Sequence, residues 1–242
     1  MMLLVGLFAS CSKDGTEENS DNPVQPGPSG KYYCTTDMPD DWVLGWSDSW
    51  VSFPLITNIA EFKVTVSESW LTAEVQPTAD AGKKELMVRV EKYDLRDASG
   101  NNIFAEPRIA KVHITGGGVF DRSVSIVQNS HVQITLPSLP YVDANQVLYL
   151  TADGETQDVA VSANCYRWRV SSNVDWLTVT VKDRSTITVS SKPRTSGGPR
   201  RTSVKVYNEA NAASDFCTFT VADKDAVLTG NDFDYGESTA WD

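Results

Sequence analysis

The chain has 242 residues and a formal net charge of −11, from 21 basic and 32 acidic side chains. The length allows two domains of ordinary size. The acidic balance excludes the basic face that nucleic-acid phosphates require, and it disfavours direct adhesion to anionic lipid. The sequence contains no run of 18 or more apolar residues, so no segment is predicted to span a membrane.

The first segment, MMLLVGLFASC, is an uncharged apolar run that ends in small residues before Cys11. It resembles a bacterial lipoprotein signal over residues 1–10 with Cys11 as the lipidated residue, although the usual basic start is missing. The next stretch is acidic and rich in Pro and Gly, which predicts a disordered tether over 11–36. The resemblance implies attachment by lipid alone, at the outer membrane or cell surface. An ordinary buried strand is the alternative for the first segment.

Two stretches of the chain repeat one another. The sequence FKVTVSESWLT (62–72) nearly recurs as WRVSSNVDWLT (168–178), at a constant offset of 106 without a gap. A self-match of this kind indicates two copies of one domain. We therefore predict domains over 37–131 and 146–226, joined by a linker over 132–145 whose two prolines resist a central strand.

Apolar and polar residues alternate in both copies, as Phe62, Val64 and Val66 do in the first. A period of two predicts β-strands, and the separating Asp-Gly and Gly-Gly-Gly runs are turn formers. Many short strands without a helical window predict an all-β protein, in which each copy is a Greek-key β-sandwich.

The second copy contains V-x-V-S-A-N and then W-x-V-x-S-N-x-D-W-L-T-V within 159–179, followed by R-R-T-S-V-K-V at 200–206. These motifs resemble the BACON domain, the Bacteroidetes-associated carbohydrate-binding often N-terminal module. The first copy matches through FKVTVSESWLT, PRIAKVHI (107–114) and SVSIVQ (123–128). The resemblance implies two Ig-like β-sandwiches of a kind found in surface lipoproteins and glycan-degrading enzymes. The second copy departs from it by ending in TFTVAD without the Gln, and the first by the insertion 93–107.

Three tryptophans occupy equivalent or neighbouring places in the repeat. Trp70 and Trp176 each stand where a strand begins, and Trp168 takes the apolar position of Phe62. Large rings at such positions fill the centre of a β-sandwich. We expect all three to be core residues.

The aromatic residues that differ between the copies are candidates for ligand contact. On the repeat register Trp42 takes the core position of Leu148, whereas Trp46 and Trp50 fall on a hairpin loop that has no Trp in the second copy. Exposed rings suit the C–H faces of sugars, and Asp48 between them suits hydroxyl groups. The sequence therefore predicts a glycan-binding site at these three residues. The alternative is that the rings pack on the sandwich edge or a domain interface.

Few residues point to catalysis or metal binding. Cys165 and Cys217 are either a disulfide across the second sandwich or two small buried hydrophobic residues. His113 is predicted on the outward face of a strand and His131 in the linker, and neither adjoins a nucleophile motif. Zinc-ligand spacing is missing from the sequence, and the acidic residues of 93–107 fit a solvated turn better than a calcium loop. We predict no enzymatic activity, no metal and no cofactor.

These features predict a non-catalytic surface lipoprotein that binds or presents glycan beside a polysaccharide-uptake system. The expected partners are polysaccharide or glycoprotein glycan and other surface lipoproteins, with no nucleic acid. The alternative is a structural spacer or adhesin subunit that contacts protein without binding glycan. The acidic, aromatic tail over 227–242 is predicted either to dock as an extra strand or to hang free.

Overall fold

The computed structural model describes residues 31–142 and 144–226. Within these ranges all regular structure is β-strand, and none of it is helical, so no described helix could cross a bilayer. The predicted signal over 1–10, the lipidated Cys11, most of the tether and the tail over 227–242 lie outside the described residues.

The first unit is built from two four-stranded sheets with the orders β1-β3-β6-β5 and β2-β8-β7-β4. In the second of these sheets, β2 runs parallel to β8 and the other neighbours are antiparallel. The eight strands in chain order are β1 (Cys34–Thr35), β2 (Asp41–Leu44), β3 (Trp50–Thr57), β4 (Phe62–Val66), β5 (Leu71–Pro77), β6 (Lys83–Val90), β7 (Arg108–Gly116) and β8 (Phe120–Gln128).

The second unit repeats this plan with a five-stranded sheet, β10-β11-β18-β17-β14, and a three-stranded sheet, β12-β16-β15; a short pair, β9 with β13, completes it. Here too the first long strand, β11, runs parallel to the last, β18. Its strands are β9 (Ile134–Thr135), β10 (Tyr141–Val142), β11 (Asn145–Leu150), β12 (Thr156–Ala160), β13 (Ser162–Ala163), β14 (Trp168–Ser171), β15 (Leu177–Asp183), β16 (Thr186–Ser191), β17 (Arg201–Asn208) and β18 (Phe216–Asp223).

Each unit has its own hydrophobic core between its sheets. Along β3 the buried Val51, Phe53 and Leu55 alternate with outward residues, and Ile114 and Ile126 of the facing sheet are fully buried. This alternation is the period of two that the sequence shows, because successive side chains of a strand point to opposite faces. The predicted all-β architecture of two Ig-like β-sandwiches is confirmed.

The structure draws the domain boundaries differently from the sequence. The first sandwich begins within the predicted tether, because Cys34 of β1 pairs with Thr57 and the Tyr33 amide donates to Asn58. The predicted linker is part of the second unit, whose core includes Leu136 and Leu139. Prolines at 137 and 140 exclude a central strand, but they leave the leucine that precedes each of them free to pack.

Part of the insertion also belongs to the second unit. Phe104–Glu106 groups with the second unit, whereas the rest of 93–107 groups with the first. The Ala105 carbonyl accepts a hydrogen bond from Asn164 at 3.0 Å, and Glu106 forms an ion pair with Arg184 at 3.2 Å. Polar contacts of this kind are invisible to hydrophobic periodicity.

Candidate functional site

The turn between β2 and β3 carries the candidate residues and is closed by Asp48. The Gly45 amide donates to Asp48 Oδ2 at 2.6 Å, and the Asp48 amide donates back to the Gly45 carbonyl at 3.3 Å. Asp48 is exposed, and its Oδ1 receives no hydrogen bond from the described residues. One carboxylate oxygen therefore holds the turn and the other is available to a ligand hydroxyl.

Trp46 packs on its own unit. Its ring is half-buried and lies 4.4 Å from the ring of His131, tilted by 34°. His131 is only 7% exposed, and its Nε2 lies 2.7 Å from Asp94 Oδ1. Hydrogen bonds with His131 and Arg96 hold the pKa of Asp94 below its usual value. His131, predicted in the linker, is thus a buried residue of the first unit that supports Trp46.

Trp50 is open to solvent. It is 57% exposed. The repeat register predicts that it lies on the hairpin loop, but it is the first residue of β3. It pairs with Arg89 of β6, which in turn pairs with Thr72 of β5. Since Val51 next to it faces the core, Trp50 stands on the outer face of the sheet. Among the described residues the ring contact of Trp46 is with His131, so of the two rings predicted to be exposed, Trp46 is packed and Trp50 is open to solvent.

Trp42 is not the core residue that the repeat register predicts. Its ring meets the buried Phe53 edge-on, with centroids 5.6 Å apart, yet it is 41% exposed. The equivalent Leu148 is 6% exposed. The reason is the sheet edge: β2 is an edge strand, whereas β10 pairs with β11 and covers that side in the second unit.

Trp70 and Trp176 do not fill the sandwich centres, contrary to the expectation from the sequence. Both are half-buried and pack against the edge of their cores, directly before β5 and β15. An arginine covers each ring: the guanidinium of Arg108 lies 4.2 Å from the Trp70 centroid, and that of Arg200 lies 4.6 Å from the Trp176 centroid. A guanidinium over an indole face is a favourable cation–π contact. Each Trp therefore closes one end of its sandwich beneath an arginine.

Gln128 links this arginine contact to the β2–β3 turn. Its side chain is fully buried at the end of β8, where Oε1 accepts hydrogen bonds from Arg108 Nε at 3.0 Å and Nη2 at 2.7 Å. Its Nε2 donates to the carbonyls of Gly45 at 3.2 Å and Asp48 at 3.3 Å. An amide can do both because it carries an acceptor and two donors. Gln128 thus holds in place the turn that precedes Trp50.

Asp223 occupies the equivalent place in the second unit. Arg108 pairs with Gln128 at the end of the β7–β8 ladder, and Arg200 lies opposite Asp223 one step beyond the Arg201–Ala222 pair of β17 and β18. The Asp223 carboxylate accepts from the Arg200 amide at 2.8 Å, Nε at 3.1 Å and Nη2 at 3.0 Å. Burial alone would raise the pKa of Asp223, but the hydrogen bonds and charge of Arg200 outweigh it and hold the pKa below its usual value.

The turn of the second unit is closed in another way. A carboxylate has no hydrogen to donate, so Asp223 cannot hold turn carbonyls as Gln128 does. Instead the Thr151 amide donates to Glu155 Oε2 at 2.8 Å, and Gly154 takes a positive φ of 91°. The pKa of Glu155 falls to about 2, because of hydrogen bonds from Gln157, Lys224 and the Thr151 amide. The absence of this Gln from the second copy is visible in the sequence, but its hydrogen bonds to the turn are visible only in the structure.

Trp168 and the cysteines are structural residues of the second unit. Trp168 is 7% exposed, and its Nε1 donates to the Arg184 carbonyl at 3.1 Å. Cys165 and Cys217 are free thiols rather than a disulfide, and burial raises the pKa of each to about 11. Of the two interpretations left open by the sequence, the structure favours two small hydrophobic residues.

The insertion does not assemble a calcium loop. Asp97 accepts hydrogen bonds from the Ser99 amide and from the backbone and side chain of Asn101, at 2.8 to 2.9 Å, so its oxygens close a turn. Asp94 is engaged with His131 and Arg96. Over residues 31–142 and 144–226, no three His, Cys, Asp or Glu side chains are grouped to hold a metal ion.

A concave surface lies at the end of the first unit opposite the β2–β3 turn. It is an open depression of about 580 Å³ beside the β7–β8 hairpin. Phe62 and Phe120 line it, but their rings meet edge to face 6.0 Å apart and Phe120 is 8% exposed. The glycines 116–118 also line it. A flat exposed ring, the feature that suits a sugar, is found at Trp50 instead.

No protein-family model matches the chain, and no curated protein matches it. Among solved structures, those similar to the chain at low scores include two hydrolases and a titin fragment. One is the endo-fucoidan hydrolase MfFcnA9 from glycoside hydrolase family 107, with 11% identity, a TM-score of 0.38, and coverage of 79% of this chain and 34% of that one. Another is the Bacteroides ovatus GH5 xyloglucanase in complex with a XXXG heptasaccharide, with 20% identity, a TM-score of 0.30, and coverage of 50% and 22%.

The third is the I-band fragment I67-I69 from titin, with 7% identity, a TM-score of 0.33, and coverage of 78% of this chain and 64% of that one. The chain spans about a third or less of the length of the two hydrolases. None of these likenesses bears on its function.

Proposed function

We propose that the protein is a non-catalytic, lipid-anchored accessory protein that binds glycan at the bacterial surface, and that its two units are BACON-type modules. The observation that carries the proposal is the Trp50 ring, 57% exposed on the outer face of a sheet. Water contact over so large an aromatic face is unfavourable, and stacking of a sugar ring would remove it. The second unit has Thr156 at the start of the equivalent strand, so the sandwich does not need the ring for folding.

The neighbouring groups suit a glycan. Asp48 offers one carboxylate oxygen to a hydroxyl group, and Gln128 fixes the turn between Asp48 and β3 before any ligand arrives. A turn that is already ordered reduces the entropy lost on binding. Exposed sites of this size give modest affinity, which suits capture of a polymer that offers many repeats of one unit.

A spacer or adhesin without a glycan ligand is the second candidate. The observation in its favour is the contact of Trp46 with His131, since this ring stabilises the first unit itself. In that case Trp50 would face a protein partner, because large exposed apolar side chains also mark protein interfaces. The two candidates therefore differ in what Trp50 contacts.

Single substitutions separate them. We expect Trp50→Ala to abolish retention of the full chain by plant polysaccharides or host mucin glycans in affinity electrophoresis, while the Tm stays near that of the parent. Trp46→Ala should lower the Tm of the first unit, because its ring packs on His131. Tyr141→Ala is the matched control, since that ring is 72% exposed on the second unit and should not affect retention.

The glycan-binding function is refuted by a combination of two results. If no glycan retards the parent chain and Trp50→Ala changes only its association with other surface proteins, the spacer is the correct function.

The lipid anchor is tested separately. Cys11→Ala should release the protein from the membrane fraction and remove the lipid mass from its N-terminal peptide. Cys34→Ala is the control, because Cys34 is a half-buried thiol of β1 and its loss should leave membrane attachment unchanged. Retention of Cys11→Ala in the membrane fraction would refute lipidation at this residue.

A further inference from the structure

The two units share an arginine on a tryptophan but differ in how the arginine charge is balanced. In the second unit Arg200 forms an ion pair with the buried Asp223 at 3.0 Å, and its Nη1 donates to the Lys192 carbonyl at 2.8 Å. In the first unit the corresponding partner of Arg108 is the neutral Gln128. Over the described residues, Arg108 forms no ion pair with a carboxylate.

The environment of Arg108 makes this imbalance costly. Its guanidinium lies 4.2 Å from the Trp70 centroid and 4.6 Å from the Tyr93 centroid, and two rings this close displace much of its water. Desolvation accordingly lowers the pKa of Arg108, against smaller opposing contributions from Tyr93 and Glu91. The group stays protonated at neutral pH because its ordinary pKa exceeds about 12. A desolvated cation gains most from an anion placed beside it.

One edge of the guanidinium remains available. Nε and Nη2 are engaged by Gln128 and by the Glu91 carbonyl. Nη1 donates to no group of the described residues, and it is not a fully buried atom, so it is accessible from solvent. An incoming group would therefore meet two free donors beside two aromatic rings.

We propose that Arg108, with Trp70 and Tyr93, forms a subsite for an anionic sugar substituent, either a uronate carboxylate or a sulfate ester. This inference rests on the proposed glycan-binding function and names the class of glycan. The subsite lies at the same end of the first unit as the β2–β3 turn: the Tyr93 amide donates to the Trp46 carbonyl at 2.9 Å, and Gln128 contacts both Arg108 and the turn. The two rings hold the guanidinium and keep water from it, and Nη1 donates to the anion of the sugar.

The test compares matched polymers that differ only in charge. Polygalacturonate against its methyl ester examines the carboxylate, and dextran sulfate against dextran examines the sulfate, by calorimetric titration of the full chain at moderate salt. A charge-assisted hydrogen bond in a partly desolvated site corresponds to about tenfold to a hundredfold in affinity. We expect the anionic member of one pair to bind at least about tenfold more tightly.

Two variants assign that preference to Arg108. Arg108→Met keeps an apolar stem over Trp70 without the charge, and Gln128→Glu keeps Arg108 in place but supplies an internal carboxylate that competes with the ligand. Each should reduce the preference for the anionic polymer to about twofold or less. Arg122→Gln is the control: it removes a charge from the same sheet, at a residue 3.8 Å from Asp40, and should leave the preference unchanged.

The outcomes separate the two proposals. If neutral and anionic polymers bind equally well and binding depends on Trp50, the subsite is refuted while the glycan-binding function stands. If both Arg108→Met and Gln128→Glu keep the full preference, the anion binds elsewhere and the subsite is refuted. If no polymer binds, both proposals fail. Should Arg108→Met fail to fold, Gln128→Glu decides alone: it gives up the two donors to the turn carbonyls, but the preference is a ratio of two affinities measured on the same variant, so a weaker turn lowers both affinities together.

Discussion

Replacing Asp223 by Asn tests whether the carboxylate stabilises the second unit as its contacts indicate. Asp223 is fully buried, and its Oδ2 accepts from Arg194 Nη1 at 2.9 Å as well as from Arg200. In the variant, the amide oxygen in the place of Oδ2 still accepts these hydrogen bonds, but they are weaker. The NH₂ group takes the place of Oδ1, which in the parent accepts from Arg200 Nη2 at 3.0 Å, so two donors face each other. One lost charge-assisted bond, and two ion pairs reduced to hydrogen bonds with a neutral amide, amount to about 2–4 kcal/mol of unfolding free energy.

Hydrogen–deuterium exchange resolves this effect by unit. The free energy of opening should fall by about 2–4 kcal/mol for the amides of β17 and β18 and stay unchanged for those of β7 and β8, because each unit has its own core. Asp225→Asn is the control, since Asp225 also pairs with Arg194 but is 51% exposed, and it should change little. A loss below about 0.5 kcal/mol in β17 and β18 would refute the assignment of Asp223 as a stabilising charge.

The same variant predicts a pH dependence. The folded-state pKa of Asp223 is held below its usual value, so its stabilisation is fully present above the unfolded pKa of about 3.9 and is lost as pH falls through the folded pKa. The difference in stability between the parent and Asp223→Asn should therefore be constant near neutral pH and shrink below about pH 4. If the difference in stability between the parent and Asp223→Asn stays the same below about pH 4, the Asn variant destabilises through packing alone.

Three further predictions follow from single contacts. Trp70→Ala and Trp176→Ala should each destabilise only their own unit, by about 2 kcal/mol. This is less than the ~3–5 kcal/mol for a fully buried ring, because both rings are half-buried. An equal loss of stability in both units, measured by hydrogen–deuterium exchange, would contradict this. Cys165 and Cys217 should resist alkylation at pH 8 until the chain is unfolded, since their pKa is raised to about 11; rapid labelling of the native chain measured by mass spectrometry would contradict their burial. Gly154→Ala should cost about 1–3 kcal/mol in urea denaturation, because φ is 91° and a Cβ would lie 3.0 Å from the Ser191 carbonyl.

The features of the site that could be predicted from the sequence are those that depend on local pattern and on the repeat. The repeat register and the alternation of apolar residues located β3 and β12, and they identified Trp46, Asp48 and Trp50 as features of the first copy alone. Pairing of each strand with its neighbours was needed to show that Trp50 stands on an outer face and Trp46 does not. Similarly, the apolar character of Trp42 was evident, but its exposure depends on β2 lying at a sheet edge with no equivalent of β10 beside it.

The sequence by itself determined the class of the fold, the number of sandwiches and the equivalence of their strands, because these depend on short-range periodicity and on self-similarity along the chain. Only the tertiary structure decided what closes the end of each sandwich. Arg108, Gln128 and Trp70 come from separate strands and adjoining turns, and their contact depends on sheet pairing that brings residues 20 positions apart, as in Arg108 and Gln128, into one hydrogen-bonded group. The exchange of Gln128 for Asp223 is one side chain in the sequence, but in three dimensions it determines whether an arginine is neutralised within its unit or left with free donors at the surface.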